Sequence, residues 1–280
     1  MGAVAVVVAA CVAAVAGRQT PAPSFTTSPD GVRIAYVTDG TGLPPLVFVH
    51  GWSCDRRYWD WQLRGFAKYH RVVGVDLAGH GDSGANRAHW TIGAFGGDVA
   101  AVVDALELER PILVGHSMGG DVIAEAARRL KRPAAGLIWV DTYKRLGAPR
   151  TPDEVANIIR PFRDDFAGTT RAFVRGMFLP GTDPGLVDLV AGDMASAPPE
   201  VGVGALESAL AYDREMPIAL KELKLPVIAI NPETPATDLA SMSAHGVEVM
   251  LMSDVGHFPM MESPERFNRI LRTAIGKLTR

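Results

Sequence analysis

The sequence has little cysteine and little excess charge, and both shortages exclude classes of protein. Only two of its 280 residues are cysteines, Cys11 and Cys54, too few for a disulfide scaffold or a zinc site built from cysteines. Its 28 basic and 31 acidic residues give a formal net charge of −3, which argues against a nucleic-acid partner. The seven histidines contain no H-x-x-x-H or H-E-x-x-H pair, so we expect neither a metal nor another cofactor.

Long apolar runs are also missing, apart from a short one near the start. Residues 3–16 are 14 uncharged apolar residues, too few for a helix across roughly 30 Å of hydrocarbon. They are typical of a secretory signal, and Ala14-Val15-Ala16 offers a cleavage site. We expect a signal or leader segment over residues 1–23 and export to the periplasm or the medium. Lipid anchoring through Cys11 is one variant of this expectation, and a cytoplasmic location is the alternative.

The remaining sequence is rich enough in apolar residues to form a large core. Hydrophobic residues make up 48% of the chain and charged residues 21%, as in globular proteins. Short apolar runs bounded by turn residues predict buried strands, while the alternating pattern of residues 32–37 predicts a half-exposed one. We place strands at 32–37, 46–49, 72–75, 111–115, 136–140, 226–230 and 247–252. Because helical spacing separates many of them, the fold class is α/β, a mostly parallel central sheet with helices on both faces.

The alternation of strands and helices stops between residues 142 and 223. This stretch holds many charges, glycines and prolines, with helical spacing but no strand pattern. We interpret it as a helical cap inserted into a single domain of residues 24–280. A cap in that position would cover the C-terminal ends of the strands, where α/β sheets bind ligands.

A glycine-rich turn lies between a predicted strand and a predicted helix. It reads Gly115-His116-Ser117-Met118-Gly119, the G-x-S-x-G pattern of a nucleophilic serine in that context. A strand that reverses into a helix strains the backbone of the serine, and small neighbours let the two segments pass closely. The hydroxyl of Ser117 would then lie at a helix N-terminus, where negative charge is stabilised.

Four such landmarks, in this order, resemble those of the α/β-hydrolase fold family. His50-Gly51-Trp52 resembles the family's oxyanion loop, and residues 76–83 (DLAGHGDS) resemble its D-x-x-G-x-G-x-S turn. Residues 115–119 form the third landmark, and Gly256-His257-Phe258 resembles the histidine loop. The resemblance covers most of residues 30–280 and implies the α/β-hydrolase fold with serine-esterase-like activity.

The same motifs predict the partners of the serine. A neutral hydroxyl is a poor nucleophile, so Ser117 needs a general base, and His257 on the loop after the last strand is the candidate. The backbone N–H groups of Trp52 and Met118 are the candidate oxyanion donors.

The acid of the triad departs from the common family pattern. It must accept a hydrogen bond from Nδ1 of the histidine. The loop that usually carries it has Pro235 at about the expected position. Some family members place the acid at the end of the strand that follows the helix after the serine turn. In this sequence the residue at that position is Asp141. We favour Asp141 and keep Asp238 and Glu233 as alternatives.

We therefore expect a serine hydrolase that acts on small-molecule carboxylic esters. Ser117 argues against haloalkane dehalogenases and epoxide hydrolases, which carry Asp at that position. Thioesterase, amidase, carbon–carbon hydrolase, cofactor-free haloperoxidase and acyltransferase activities stay open, as does a non-enzymatic ligand-binding member. Five apolar side chains of the cap can line an acyl pocket or form the cap's own core: Phe162, Phe166, Phe173, Met177 and Phe178.

The leader predicts how the protein is processed in its native host. We expect the mature chain to begin near Gly17, or to carry lipid on Cys11, because the apolar run resembles an export signal. Intact-mass measurement on the fractionated host tests this. A soluble cytosolic form that keeps Met1 uncut and unmodified would contradict it.

Overall fold

Eight strands form one sheet in the computed structural model, which describes residues 21–279. The strands are β1 (Ser24–Thr27), β2 (Arg33–Asp39), β3 (Leu46–Val49), β4 (Val72–Val75), β5 (Ile112–His116), β6 (Gly136–Val140), β7 (Val227–Pro232) and β8 (Val247–Met252). Their order across the sheet is β1-β2-β4-β3-β5-β6-β7-β8. β2 pairs antiparallel with β1 and with β4, and the pairs from β4 to β8 are parallel.

Helices lie in every connection from β3 onward and follow β8. They are α1 (Asp60–Phe66), α2 (Ile92–Ala105), α3 (Met118–Arg129), α4 (Pro152–Asp164), α5 (Phe166–Arg175), α6 (Pro184–Met194), α7 (Pro199–Tyr212), α8 (Met216–Leu223), α9 (Leu239–Ala244), α10 (Pro259–Glu262) and α11 (Pro264–Leu278). A short 3₁₀ helix, Arg56–Trp59, precedes α1. α2 packs against α3, and α1 packs against α11.

This architecture confirms the predicted α/β class with a mostly parallel sheet. β3, β4, β5 and β6 are buried along their whole length, as their continuous apolar runs predict. One strand, β1, was not predicted, because its sequence Ser-Phe-Thr-Thr is mostly polar and it lies exposed at the edge of the sheet. β2 is more buried than the half-exposed strand that its alternating pattern predicts.

Five helices, α4 to α8, lie between β6 and β7, in the stretch for which the sequence predicts a cap. Local signals explain where some of them begin. The Thr151 hydroxyl accepts a hydrogen bond from the Glu154 N–H, and the Glu154 carboxylate accepts one from the Thr151 N–H, a capping box at the start of α4. Asp183 caps α6 through the N–H of Gly185. The cap boundaries themselves stay a prediction.

The predicted leader, residues 1–23 with Cys11, falls almost wholly outside the described residues. Between residues 21 and 279, no helix is long and apolar enough to cross a membrane.

The parallel register brings the sequence-predicted residues to one edge of the sheet. Val49 pairs with Gly115, and His116 pairs with Val140, so β3, β5 and β6 end side by side. The residues that follow these strands therefore share the C-terminal edge of the sheet, where open α/β sheets place their ligand sites.

Candidate active site

The turn at Ser117 has the backbone conformation expected of a nucleophile elbow. Ser117 follows β5 and precedes α3, with φ 52° and ψ −122°. A non-glycine residue at positive φ is strained and persists only where its surroundings impose it. Here the N–H of Ser117 donates to the carbonyl of Val140 at 2.9 Å, which ties the turn to β6.

Two glycines around Ser117 are required because backbone passes close to them. A Cβ on Gly115 would lie 2.2 Å from the carbonyl oxygen of Gly119, and one on Gly119 would lie 2.6 Å from the carbonyl oxygens of Val49 and His50. Larger residues would push α3 away from the sheet. The helix N-terminus is thereby held beside the loop after β3, and Met118 is its first residue.

The loop after β3 lies against the elbow. A Cβ on Gly51 would be 3.3 Å from the Cβ of Ser117. His50 is fully buried: its Nδ1 lies 2.8 Å from the carbonyl oxygen of Gly51, and its Nε2 accepts from the N–H of Leu77 at 3.1 Å. Burial lowers the pKa of His50 to about 4, so the ring is neutral and Nδ1 is its donor. His50 thus stabilises the loop through both of its ring nitrogens.

Trp52, whose N–H is a predicted oxyanion donor, is anchored through its side chain. Its indole Nε1 donates to the carbonyl oxygen of Gly202 in α7 at 2.7 Å. The edges of three cap phenylalanines surround the ring, with centroid distances of 5.4 Å to Phe162, 5.9 Å to Phe166 and 6.2 Å to Phe173. Phe162 and Phe166 are buried and Phe173 is 43% exposed. The loop and the cap therefore meet at one aromatic cluster.

The remaining two cap residues singled out from the sequence contact the histidine loop. The carbonyl oxygen of Met177 accepts from the N–H of His257 at 3.0 Å. The ring of Phe178 stacks on Phe258 at 5.1 Å, next to His257. The predicted cap thus contacts both the loop that carries Trp52 and the loop that carries His257.

The backbone around His257 is held by a carboxylate. Glu262 accepts from the N–H of Gly256 at 2.9 Å and from the N–H of Phe258 at 3.0 Å. The ring of His116 contributes a further bond, 2.8 Å from Nε2 to the carbonyl oxygen of His257. Burial lowers the pKa of His116 to about 3, so the ring is neutral and Nε2 is the donor of this bond. These contacts fix the position of His257 before any substrate binds.

Asp141 is the carboxylate that reaches His257. It follows β6 at φ 48°, a conformation that Asp tolerates better than most residues, and its N–H donates to Ile230 at 3.0 Å. Its Oδ2 lies 2.7 Å from Nδ1 of His257, and its Oδ1 lies 2.8 Å from Nζ of Lys144.

The environment of Asp141 favours its ionised form. Burial alone would raise the pKa of the carboxyl group. The hydrogen bond from His257 and the charges of His257 and Lys144 outweigh burial and hold the pKa below its ordinary value. The carboxylate can therefore accept a hydrogen bond from His257 at neutral pH.

The two alternative acids lie elsewhere. Asp238 caps α9 by accepting from the N–H of Ser241 at 2.9 Å, and it faces Arg145 at 3.9 Å. Glu233 is exposed, and its N–H donates to Met252 at 3.1 Å. Within residues 21–279 neither carboxylate makes a hydrogen bond to His257.

Ser117 and His257 lie in the same neighbourhood without being hydrogen-bonded. The rings of His116, next to Ser117, and His257 have centroids 4.7 Å apart. Ser117 is half-buried, and no hydrogen bond among the described residues joins its hydroxyl to His257. Catalytic hydrogen bonds often tighten only when substrate binds. The catalytic roles of these residues, and of the N–H groups of Trp52 and Met118, stay predictions.

Sequence reasoning missed two charged groups, Lys144 and Glu262. Lys144 could have been identified from the sequence, as a cation three residues after the favoured acid. Glu262 could be identified only from the structure, because its partners are backbone N–H groups. In residues 21–279, no group of three or more His, Cys, Asp or Glu side chains is placed to hold a metal ion.

Comparison with known proteins gives a family match over most of the chain. A model described as the alpha/beta hydrolase family matches residues 46–270. A solved structure of a thermophilic esterase from Thermogutta terrifontis is 28% identical, with a TM-score of 0.79 over 92% of this chain and 99% of that chain.

Curated relatives give full-length and partial matches. The pimeloyl-[acyl-carrier protein] methyl ester esterase of Sodalis glossinidius is 26% identical over 86% of this chain and 96% of its own length. The non-heme chloroperoxidase of Streptomyces lividans is 36% identical over 115 residues, 40% of each chain. This chain thus spans less than half of the length of several curated relatives that it matches.

The depressed pKa of Asp141 predicts a stability that depends on pH. An acid whose folded pKa lies below its unfolded value stabilises the protein above the unfolded pKa, about 3.9, and loses that contribution as pH falls through the folded pKa. We expect wild type to exceed Asp141→Asn in free energy of unfolding at pH 5, with the difference shrinking below about pH 4. Urea unfolding at several pH values measures it. An unchanged difference down to pH 3 would contradict the ionised carboxylate.

Proposed function

This chain belongs to the alpha/beta hydrolase family, and from that membership we propose that it is a serine hydrolase that cleaves carboxylic esters through an acyl-enzyme intermediate. The observation that carries the proposal is the 2.7 Å contact between Asp141 and Nδ1 of His257, on a loop packed beside the strained turn at Ser117. A serine elbow, a histidine and a buried ionised carboxylate are the groups that nucleophilic acyl transfer requires.

The reaction would begin at the hydroxyl of Ser117. His257 takes the hydroxyl proton at Nε2 while Ser117 Oγ attacks the ester carbonyl, and it then returns the proton to the leaving alcohol. Asp141 keeps the Nδ1–H tautomer and stabilises the imidazolium that forms. Water, activated by His257 in the same way, releases the acid and restores Ser117.

The negative charge on the tetrahedral oxygen would be held by two backbone N–H groups, those of Trp52 and Met118. Met118 supports this role because it is the first residue of α3, whose leading N–H groups have no partner within the helix. Trp52 supports it because it follows Gly51, which lies against Ser117. One such donor is worth about 3 kcal/mol of barrier.

The acyl side of the substrate would meet the aromatic cluster of Trp52 and the cap. Phe173, the most exposed ring of that cluster, is the side chain with surface left to contact a ligand. The substrate class, a small-molecule ester, agrees with relatives named as esterases. Export, with or without a lipid on Cys11, remains part of the proposal and rests on the sequence alone.

Cofactor-free haloperoxidase activity is a second candidate, favoured by the chloroperoxidase relative that matches 115 residues. A panel of p-nitrophenyl esters and a bromination assay with hydrogen peroxide, run on the same leaderless protein, separate the two activities. The same panel with thioesters and amides tests the other acyl transfers.

Ser117→Ala is the direct test of the nucleophile. We expect a folded protein whose ester hydrolysis falls by about 10⁴-fold or more, because loss of the nucleophile removes the acyl-enzyme route. Wild type should be labelled at Ser117 by a fluorophosphonate and the variant should not, as mass spectrometry of the peptide would show. A folded wild-type protein that neither hydrolyses esters nor takes the label would favour a non-enzymatic binder.

Asp141→Asn tests the acid. The amide favours the wrong histidine tautomer, so we expect kcat to fall by up to about four orders of magnitude with the fold intact. Glu233→Gln and Asp238→Asn are matched controls that should cost far less, since both carboxylates lie away from His257. Steady-state kinetics and circular dichroism decide between them. A crippled Asp238→Asn beside an active Asp141→Asn would refute the assignment.

A further inference from the structure

The carboxylate of Asp141 is held at both of its oxygens. Oδ2 lies 2.7 Å from Nδ1 of His257, while Oδ1 lies 2.8 Å from Nζ of Lys144. A carboxylate bonded at one oxygen can still rotate about that bond, whereas bonds at both oxygens fix its plane. The side chain of Asp141 is only 8% exposed, so water competes little for either contact.

Lys144 is itself fixed in place. Its Nζ also donates to the carbonyl oxygen of Pro232, the last residue of β7, at 2.9 Å. Its backbone carbonyl oxygen accepts from the N–H of Asp238 at 2.8 Å. The side chain is 24% exposed, which is low for lysine. The ammonium group is therefore held by specific contacts beside Asp141, unlike a freely solvated surface charge.

We propose that Lys144 is a positioning residue of the catalytic site: it orients the Asp141 carboxylate that contacts Nδ1 of His257. The effect follows from the bond to Oδ1, which leaves Oδ2 directed at the imidazole. The proposal rests on the proposed serine hydrolase function and adds a residue that acts through the acid.

Other charged groups near the site are accounted for by their own partners. His116 is neutral, and the Glu262 carboxylate accepts from the backbone N–H groups of Gly256 and Phe258. Arg145 points to Asp238, and Arg150 pairs with Asp213 along the cleft that Lys144 also lines. In the part of the chain that the structure describes, Lys144 is thus the lysine or arginine that contacts the triad acid.

The test compares Lys144→Met with Arg145→Met. Both changes remove one positive charge from the same loop, but Arg145 is exposed and makes no contact with Asp141. Proton NMR of the hydrogen-bonded Nδ1–H of His257, on the Ser117→Ala background, reads the orientation of the carboxylate without any substrate. We expect this resonance to move upfield or broaden in Lys144→Met, because the released carboxylate holds the bond less well, and to stay unchanged in Arg145→Met. Equal resonances in both variants would overturn the proposal.

Kinetics on the Ser117 enzyme provide the second reading. We expect Lys144→Met to lower kcat roughly tenfold with KM nearly constant. Lys144→Arg and Lys144→Gln each keep a donor that can reach Oδ1, so both should recover part of kcat. Lys144→Gln also serves as the test variant if Lys144→Met does not fold.

The two proposals fail in different ways. If wild type hydrolyses no ester and takes no fluorophosphonate label, the proposed function fails, while the NMR comparison still decides whether Lys144 orients the carboxylate that contacts His257. If wild type is active and Lys144→Met has the wild-type kcat and Nδ1–H resonance, the role of Lys144 fails and the hydrolase stands.

Discussion

The site depends on how closely the turn at Ser117 can approach the backbone of β3. Gly119 lets α3 pass the carbonyl groups of Val49 and His50 at a distance where a methyl group would clash. That approach sets the start of α3 beside the His50-Gly51 loop. Backbone N–H groups from the start of α3 and from that loop can therefore both face the space beside Ser117. The positive φ of Ser117 is the conformational cost of this approach, and the bond from its N–H to Val140 helps to hold it.

The position of the acid gives the site a second rigid support. β6 lies between β5 and β7, bonded on both sides, and Asp141 follows it directly. A carboxylate at the end of a central strand moves less than one on a loop. The last residue of β7, Pro232, accepts from Nζ of Lys144 just before the loop that carries Pro235. In the proposed site, the strand that leads into the family's common acid loop thus supports an acid placed one strand away.

The sequence predicted most of what depends on local pattern. Continuous apolar runs located the buried strands, and the glycines around Ser117 located the turn. Each of these signals is contained within a few neighbouring residues, so the sequence alone displays it. β1 was missed, since an exposed polar edge strand has no apolar period to detect. Glu262 and Gly202 were missed for other reasons. Glu262 binds backbone N–H groups, which leave no signal in residue type, and Gly202 accepts from the Trp52 indole, 150 residues away in sequence. Asp141 could be favoured over Asp238 and Glu233 from strand order, but its distance to His257 required the structure.

The bond between Trp52 and Gly202 ties the loop after β3 to α7, in the stretch that the sequence predicts to be a cap. Its acceptor is a backbone carbonyl, which every amino acid possesses, so this contact is indifferent to which residue occupies the position. The contact requires that the carbonyl of residue 202 keep its direction around the axis of α7. One residue inserted before it in the helix would rotate every later carbonyl about the axis by about 100°. Position 202 must also stay small, because a Cβ there would lie 2.3 Å from the ring of Phe166. A segment exchanged between relatives would therefore have to keep the number of residues up to position 202, even where its side chains differ. Otherwise the loop that carries Trp52 would lose its hydrogen bond to α7.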